Sequence, residues 1–372
     1  MSLADRLFAV PVEWQARELK DGPDFETVTG PIAPVKNDED LIRQFGYDPA
    51  EIEIVGNIGQ WRKQMADGSW RVSYRFSHRA KTANLNLPAL YAAAKKRPAK
   101  PLSPVPTGRT TIPVLADVQA GKVGSRGGTP ELIDRLQATR EKLDQHLRTH
   151  RPEATVLAEA GDLFEGFESG GNPMFTNDLS LAEQMDLAST EVYEFVKLQA
   201  RYGHVDIIAV PSNHTAWRNG KQQLGRPGDD LGLLCHRQVQ KVAEAAGLDA
   251  TWHYPPMYDE AVTIDVRGTT VGLVHGNQYG PGGAPLWWSK QQHGGQPIGA
   301  SDVLISGHYH HLSVQPTGRN PYTGKSKWWL QAPTLDNSSD WFRNRAGDDS
   351  DPGLLVFDIT DDGFDLQSLT VL

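Results

Sequence analysis

One pattern constrains this chain more than any other: a hydrophobic, strand-like run ends, and a side chain able to bind a metal follows it. It occurs five times, at Val114-Leu115-Ala116-Asp117-Val118-Gln119, Leu157-Ala158-Glu159-Ala160-Gly161-Asp162, Ile208-Ala209-Val210-Pro211-Ser212-Asn213-His214, Leu273-Val274-His275-Gly276 and Ile305-Ser306-Gly307-His308-Tyr309-His310. In an open α/β sheet, ligands bind in the crevice beyond the carboxyl ends of the strands. Endings carrying Asp, Gln, Asp, Asn, His, His and His can therefore converge on one point. Together they offer enough oxygen and nitrogen for two divalent cations.

In order and chemistry these segments resemble the calcineurin-like metallophosphoesterase superfamily. Its blocks Asp-X-His, Gly-Asp, Gly-Asn-His, His and Gly-His-X-His are matched by Asp117-Val118-Gln119, Gly161-Asp162, Ser212-Asn213-His214, His275 and Gly307-His308-Tyr309-His310, within roughly residues 110 to 336. The chain is also similar to the phage-encoded branch of that superfamily, described as similar to DNA-repair exonucleases, in which Gln commonly stands for the first-block His. Any one of these histidines taken alone is more often a satisfied core or surface residue; the ordered set is what carries the resemblance.

The resemblance implies a two-sheet β-sandwich flanked by helices and a site of two divalent metal ions. Asp162 would bridge them, with Asp117, Gln119 and His310 completing one position and Asn213, His275 and His308 the other. His214 would be the catalytic residue, stabilising charge at the phosphate or protonating the leaving oxygen. Two departures stand out. Thr215 follows His214 where many members place an acid that orients the histidine, so another group must do this or the histidine works unaided. Gln119 offers a neutral amide oxygen, a harder ligand than imidazole, so Mn²⁺ or Mg²⁺ is expected over Zn²⁺, with Fe²⁺ also compatible and Mn²⁺ preferred.

A chain of 372 residues suits one large catalytic domain and a smaller module. The single cysteine, Cys235, excludes an internal disulfide and suits a reducing cytoplasm. Asp5, Arg6, Glu13, Arg17, Glu18 and Lys20 interrupt any apolar h-region, so no signal peptide is expected, and no eighteen-residue apolar stretch suggests a membrane span. The net charge of −9 hides an asymmetry: residues 1 to 60 carry five Lys/Arg against twelve Asp/Glu, whereas residues 61 to 110 carry eleven against Asp67 alone. Such a local positive excess attracts phosphate backbones despite an acidic whole.

In order, residues 1–37 read as a loosely structured arm and 38–93 as a small basic-faced α+β module. In that module a helix is expected over Asp38 to Phe45, then strands at Glu51–Val55, at Trp61–Met65 and, across the Asp67-Gly68 turn, at Trp70–Arg79. Alternation places Arg71, Arg75 and Arg79 on one strand face, as candidate nucleic-acid contacts, opposite Val72, Tyr74 and Phe76. Residues 94–109 read as a Pro/Lys-rich linker in which Lys95, Lys96 and Arg97 could also contact phosphates; a solvated tether is the plainer reading. Residues 110–372 form the expected metallophosphoesterase catalytic domain, with helices starting near Thr129-Pro130, at the Ser180/Glu183 capping box and near Asp230. Trp217 and several other aromatics could stack on a base, although most suit ordinary packing, and Asp336 to Arg343 could line the cleft.

The leading expectation is a dinuclear-metal phosphodiesterase acting on nucleic acid, a DNA nuclease, in the cytoplasm. The alternatives are a small-molecule phosphodiesterase acting on 2′,3′-cyclic nucleotides, which would leave the basic segment without a purpose, and a nucleic-acid-binding protein with a degenerate metal site.

Overall fold

In the computed structural model the chain divides into two compact units, Met1–Asn84 and Leu85–Leu372. The structure describes residues 17–21, 24–28, 32, 34–50, 52–80, 107–167, 177–219, 222–337, 343 and 351–372.

The first unit is an antiparallel sheet of strands β1 (Arg17–Asp21), β2 (Asp24–Val28), β3 (Ile52–Gln64) and β4 (Trp70–Ala80), in the order β1-β2-β4-β3, with helix α1 (Asp38–Gln44). Asn37 caps α1 by accepting from the Asp40 amide, and Gly46, at φ 82°, follows the helix end. Leu41 from α1 joins Val72, Tyr74 and Phe76 from β4 in a small core, so the expected alternation along β4 is real. Opposite that face, Arg75 is exposed and Arg71 half-buried. Two expectations need correction. The stretch read as a loosely structured arm supplies β1 and β2, because β2 pairs onto the edge of β4 from Phe25↔His78 to Val28↔Arg75. The runs read as separate strands at Glu51–Val55 and Trp61–Met65 are one strand, kinked where the register shifts between Val55 and Gly59; Gly56, at φ 77°, makes the irregularity possible.

The second unit is a four-layer helix–sheet–sheet–helix sandwich. One sheet has the order β10-β7-β6-β5-β16-β17, from β5 (Arg109–Leu115), β6 (Ala154–Glu159), β7 (His204–Ala209), β10 (Ala250–His253), β16 (Leu355–Thr360) and β17 (Gly363–Val371). The other has the order β11-β12-β13-β15-β14, from β11 (Ala261–Val266), β12 (Thr269–Val274), β13 (Val303–Ser306), β14 (Ser313–Arg319) and β15 (Ser326–Gln331). A two-residue hairpin, β8 (Arg218–Asn219) with β9 (Gln222–Gln223), follows His214. Strands β5, β6, β7 and β10 run parallel, as do β12, β13 and β15.

Period-two alternation explains the layers. Ile112, Val114 and Ala116 face inward with Val156, Ala158 and Ile208, and meet Val271, Leu273, Val303, Ile305 and Leu330 of the second sheet. The intervening Leu115, Leu157, Val205 and Ile207 point outward onto helices α2 (Thr129–His150), α3 (Leu181–Gln199) and α4 (Leu231–Ala246). On the far side, Val274, Leu304 and Trp329 pack under helix α5 (Ala284–His293) through Trp288. Strands covered on both faces read as continuous apolar runs, which is why their ends were so visible in the sequence. The caps carry one surprise: Thr129 is inside α2, and Asp178, from the segment before α3, accepts hydrogen bonds from the Thr129 amide at 2.7 Å and hydroxyl at 2.6 Å. Ser180 and Glu183 do form the capping box of α3, and Asp230 caps α4 by accepting from the Leu233 amide. Among the described residues no helix is long and apolar enough to cross a membrane.

Candidate metal centre

Five strand ends deliver the candidate ligands to one end of the sandwich. Asp117 follows β5, Asp162 follows β6, Asn213 and His214 follow β7, His275 follows β12, and His308 and His310 follow β13. The loops are stitched together by backbone: the Asp117 amide donates to the Gly161 carbonyl, that of Gln119 to Asp162 and that of Gly307 to His275. Seven described non-glycine residues have a positive φ, and five of them are Asp117, Gln119, Asp162, His308 and His310. Such backbone costs of order 1–3 kcal/mol per residue and persists only where the surroundings enforce it. Two glycines make room for the turns. A Cβ on Gly161 would lie 2.6 Å from His275 Nδ1, and one on Gly307 would lie 2.5 Å from Asp117 Oδ2.

The Asp162 side of the centre is crowded with donors. His275 Nδ1 donates to the Ala160 carbonyl at 2.7 Å, which aims Nε2 inward, 2.8 Å from Asn213 Oδ1 and 3.1 Å from Asp162 Oδ2. His308 Nδ1 lies 3.2 Å from the same Nε2. Ligand atoms of Asp162, His275 and His308 all fall within 4.8 Å of one another. Adjacent ligands of an octahedral cation at about 2.1 Å stand about 3 Å apart, the spacing these atoms show, so the residues fit a divalent ion. The electrostatics agree. Burial would lower the His275 imidazole, but Asp162 beside it pushes it up to about 9, while burial and His275 push His308 down to about 4. Burial would raise the Asp162 carboxyl, yet His275 and His214 hold it well below the usual carboxylate range. Asp162 thus favours positive charge on His275 while His308 is held neutral.

The Asp117 side is different. Asp117 accepts from the His308 amide through Oδ2 at 2.9 Å, and its Oδ1 lies 3.4 Å from His310 Nε2. His310 Nδ1 lies 3.6 Å from Asp336 Oδ2. Between Gln119 and Asp336 lies an ammonium group: Lys122 Nζ donates to Gln119 Oε1 and to Asp336 Oδ2. Burial would lower the Lys122 ammonium, but the carboxylates of Asp336, Glu165 and Asp117 outweigh it and hold it above the usual lysine range. Asp336 is fixed by its own segment, where Leu335 donates to the Ala116 carbonyl and Arg135 of α2 donates to the carbonyl of Leu335 and the side chain of Asn337.

Two further groups explain what Thr215 left open. His214 Nδ1 donates to the Glu165 carbonyl at 2.8 Å and lies 3.3 Å from Glu165 Oε2, so Glu165, three residues beyond Asp162, orients the histidine. His214 Nε2 lies 3.8 Å from Asp162 Oδ2. Thr215 serves the turn instead. Its hydroxyl donates to Asp230 at 2.6 Å and meets Ser212 Oγ at 2.7 Å, and Ser212 Oγ accepts from the Asp162 amide at 2.9 Å. Behind the same turn Glu159 accepts from the Gly161 amide at 2.7 Å and pairs with buried His236 at 3.1 Å. Sequence reasoning missed Lys122, Glu165, Asp230 and the Glu159–His236 pair. Lys122 and Glu165 each lie three residues after a candidate ligand, a spacing that could have flagged them.

Arg71 and Arg75 belong to the first unit, and Arg79 is described only as backbone of β4. Lys95, Lys96 and Arg97 lie outside the described residues. Trp217 is 56% exposed, whereas Trp288 and Tyr309 are buried packing groups.

No protein-family model matches the chain, and no curated protein matches it. Among solved structures, a single mutant of Vps29 from Entamoeba histolytica is 14% identical, with TM-score 0.29 over 70% of this chain and 98% of its own. A conserved protein of Streptococcus pneumoniae, described as a predicted phosphoesterase, is 12% identical, with TM-score 0.25 over 71% of this chain and 97% of its own. A phosphatase from Mycoplasma pneumoniae is 9% identical, with TM-score 0.29 over 71% of this chain and 92% of its own. At TM-scores this low none of the three carries weight for the chemistry, which rests on the residues above.

Proposed function

We propose that the chain is a metal-dependent phosphodiesterase of the calcineurin-like type that hydrolyses nucleic-acid phosphodiester bonds, a DNA nuclease working in the cytoplasm. The observation that supports this most is the convergence of strained ligands from both sheets. Five residues with left-handed backbone meeting at one end of a sandwich are costly to keep unless the site holds something. The four donors on the Asp162 side, from Asp162, Asn213, His275 and His308, would hold a divalent cation. Asp117, Gln119 and His310 offer the second position of the expected pair. The mixed set of amide, carboxylate and imidazole favours Mn²⁺. Bound there, a divalent cation would polarise the phosphoryl group and acidify a water for in-line attack.

The chain's own residues supply the rest. His214 is held by Glu165 through Nδ1, so Nε2 is the atom assigned to proton delivery at the leaving oxygen. Asp162 fixes the His214 backbone, accepting from its amide at 3.0 Å, and so ties the acid to the cation cradle. The basic strand face with Arg71, Arg75 and Arg79, and the lysines of the linker, would contact the phosphate backbone.

The test is hydrolysis of end-labelled single- and double-stranded linear DNA, alongside 2′,3′-cyclic AMP, with Mn²⁺ and with Asp162→Asn. DNA cleavage lost in the variant is the expected result. Cleavage of the cyclic nucleotide alone would move the protein to the small-molecule class. No hydrolysis of either, with metal bound, would leave a nucleic-acid-binding protein with a degenerate site.

A further inference from the structure

We propose that Lys122 is a built-in cation of the centre: its ammonium takes the place beside Asp117, Gln119 and His310 that a second divalent ion would occupy, so the resting protein retains one ion rather than two. The inference rests on the metal-centre reading above and changes its stoichiometry.

Three observations carry it. First, the local backbone returns Lys122 to the site. The Lys122 amide donates to the Gln119 carbonyl at 3.0 Å, and Gly121, at φ 91°, supplies the turn that a Cβ would block at 2.6 Å from Gln184. Second, the ammonium is well enclosed and well matched. Its side chain is 11% exposed, and its two acceptors are the Gln119 amide oxygen and the Asp336 carboxylate. A buried ammonium is tolerated only when paired and hydrogen-bonded, and one of these partners, Gln119 Oε1, is an oxygen that a metal on this side would need. A divalent ion sharing Gln119 Oε1 with the lysine would place a double and a single positive charge within a few ångströms. Third, the two sides have different donors. Among the described residues, Asp162, His275 and His308 have ligand atoms within 4.8 Å of one another, whereas Asp336 on the other side connects Lys122 to His310 Nδ1. The neutral amide of Gln119 is a weaker metal ligand than an imidazole, and its oxygen is a good acceptor for an ammonium.

The measurement is Mn²⁺ stoichiometry and spin coupling. The 372-residue chain is loaded with Mn²⁺ and desalted, its metal counted by mass spectrometry and its electron paramagnetic resonance spectrum recorded. One Mn²⁺ per chain with an uncoupled spectrum is expected. Lys122→Met, which removes the charge while keeping bulk, should retain two with an exchange-coupled spectrum; Lys122→Arg, which keeps the charge, should retain one. Circular dichroism checks that each variant is folded, and if Lys122→Met is not, Lys122→Gln replaces it. Two coupled ions in the unsubstituted protein would overturn the proposal, as would a single ion in a folded, charge-removed variant. The two readings fail separately. One tightly held ion without hydrolysis would sink the phosphodiesterase and keep Lys122 in its role; two coupled ions with hydrolysis would do the reverse. A protein retaining none would sink both.

Discussion

The two sides of the candidate metal centre are built from the same strand ends yet solve the problem of excess negative charge differently. Around Asp162, imidazoles and an amide oxygen crowd to about 3 Å, and His275 is pushed up to about 9. Around Asp117, one imidazole stands apart, and a lysine meets the amide and a second carboxylate. Ligand identity and charge compensation therefore vary together: where the side chain is the neutral amide of Gln119, the nearby positive charge is that of Lys122, three residues later. The same strand ends and turns thus frame two differently charged clusters.

The sharpest test of that contrast is to remove one imidazole from each side. His275→Ala should lower DNA hydrolysis about 10³-fold and abolish Mn²⁺ retention, a larger loss than outer partners of a ligand usually cause. His310→Ala should cost only about tenfold and leave the retained ion in place. Initial rates with metal analysis on the same samples decide it; equal losses on both sides would erase the distinction.

Next in size is the acid. His214→Gln should reduce kcat about 10²-fold, the low end of what a positioned acid contributes, with metal content unchanged. Glu165→Gln keeps the backbone carbonyl that holds Nδ1, so it should cost less than His214→Gln. A loss as large as that of His214→Gln would show that the carboxylate itself sets the proton's position.

A smaller effect concerns the scaffold behind the Asp162 side. Burial pushes Asp230 up to about 6, above its unfolded value, so its contribution to stability is fully present below the unfolded pKa and is lost as pH rises toward 6. Asp230→Asn should flatten the pH dependence of urea unfolding between about pH 4 and 6. Thr215→Val, which takes one hydrogen bond from Asp230, should cost about 1–3 kcal/mol. Smallest of all, neutralising Arg71, Arg75 and Arg79 should lower the salt dependence of DNA binding by about one unit of slope for each phosphate no longer neutralised, leaving turnover at saturating DNA unchanged.

Much of the sandwich was legible because its inner strands are covered on both faces and read as unbroken apolar runs ending in polar chemistry. The Ser180/Glu183 box and the Asp67-Gly68 turn were legible because they depend on neighbours in the chain. What escaped depends on distant partners. Asp178 caps α2 across 49 residues, and Asp336 meets Lys122 across 214. Glu165 reaches His214 across 49 residues, so an acid sought next to the histidine was found elsewhere. Helix α5 was missed because Pro285, Trp287 and Trp288 give no helical stripe, and it is held instead by Trp288 packing under the second sheet.

The left-handed turns also set the terms on which such a site can decay. Each of Asp117, Gln119, Asp162, His308 and His310 occupies backbone where glycine or asparagine would rest more easily. While the chemistry is under selection those residues stay; once it is not, drift runs downhill toward glycine and asparagine at these five positions. Relief of backbone strain at Asp117 and Asp162 would be offset by loss of the bonds their carboxylates accept from the amides of His308 and His214, so such drift should begin at Gln119, whose side chain, among the described residues, accepts from Lys122 and not from a backbone amide.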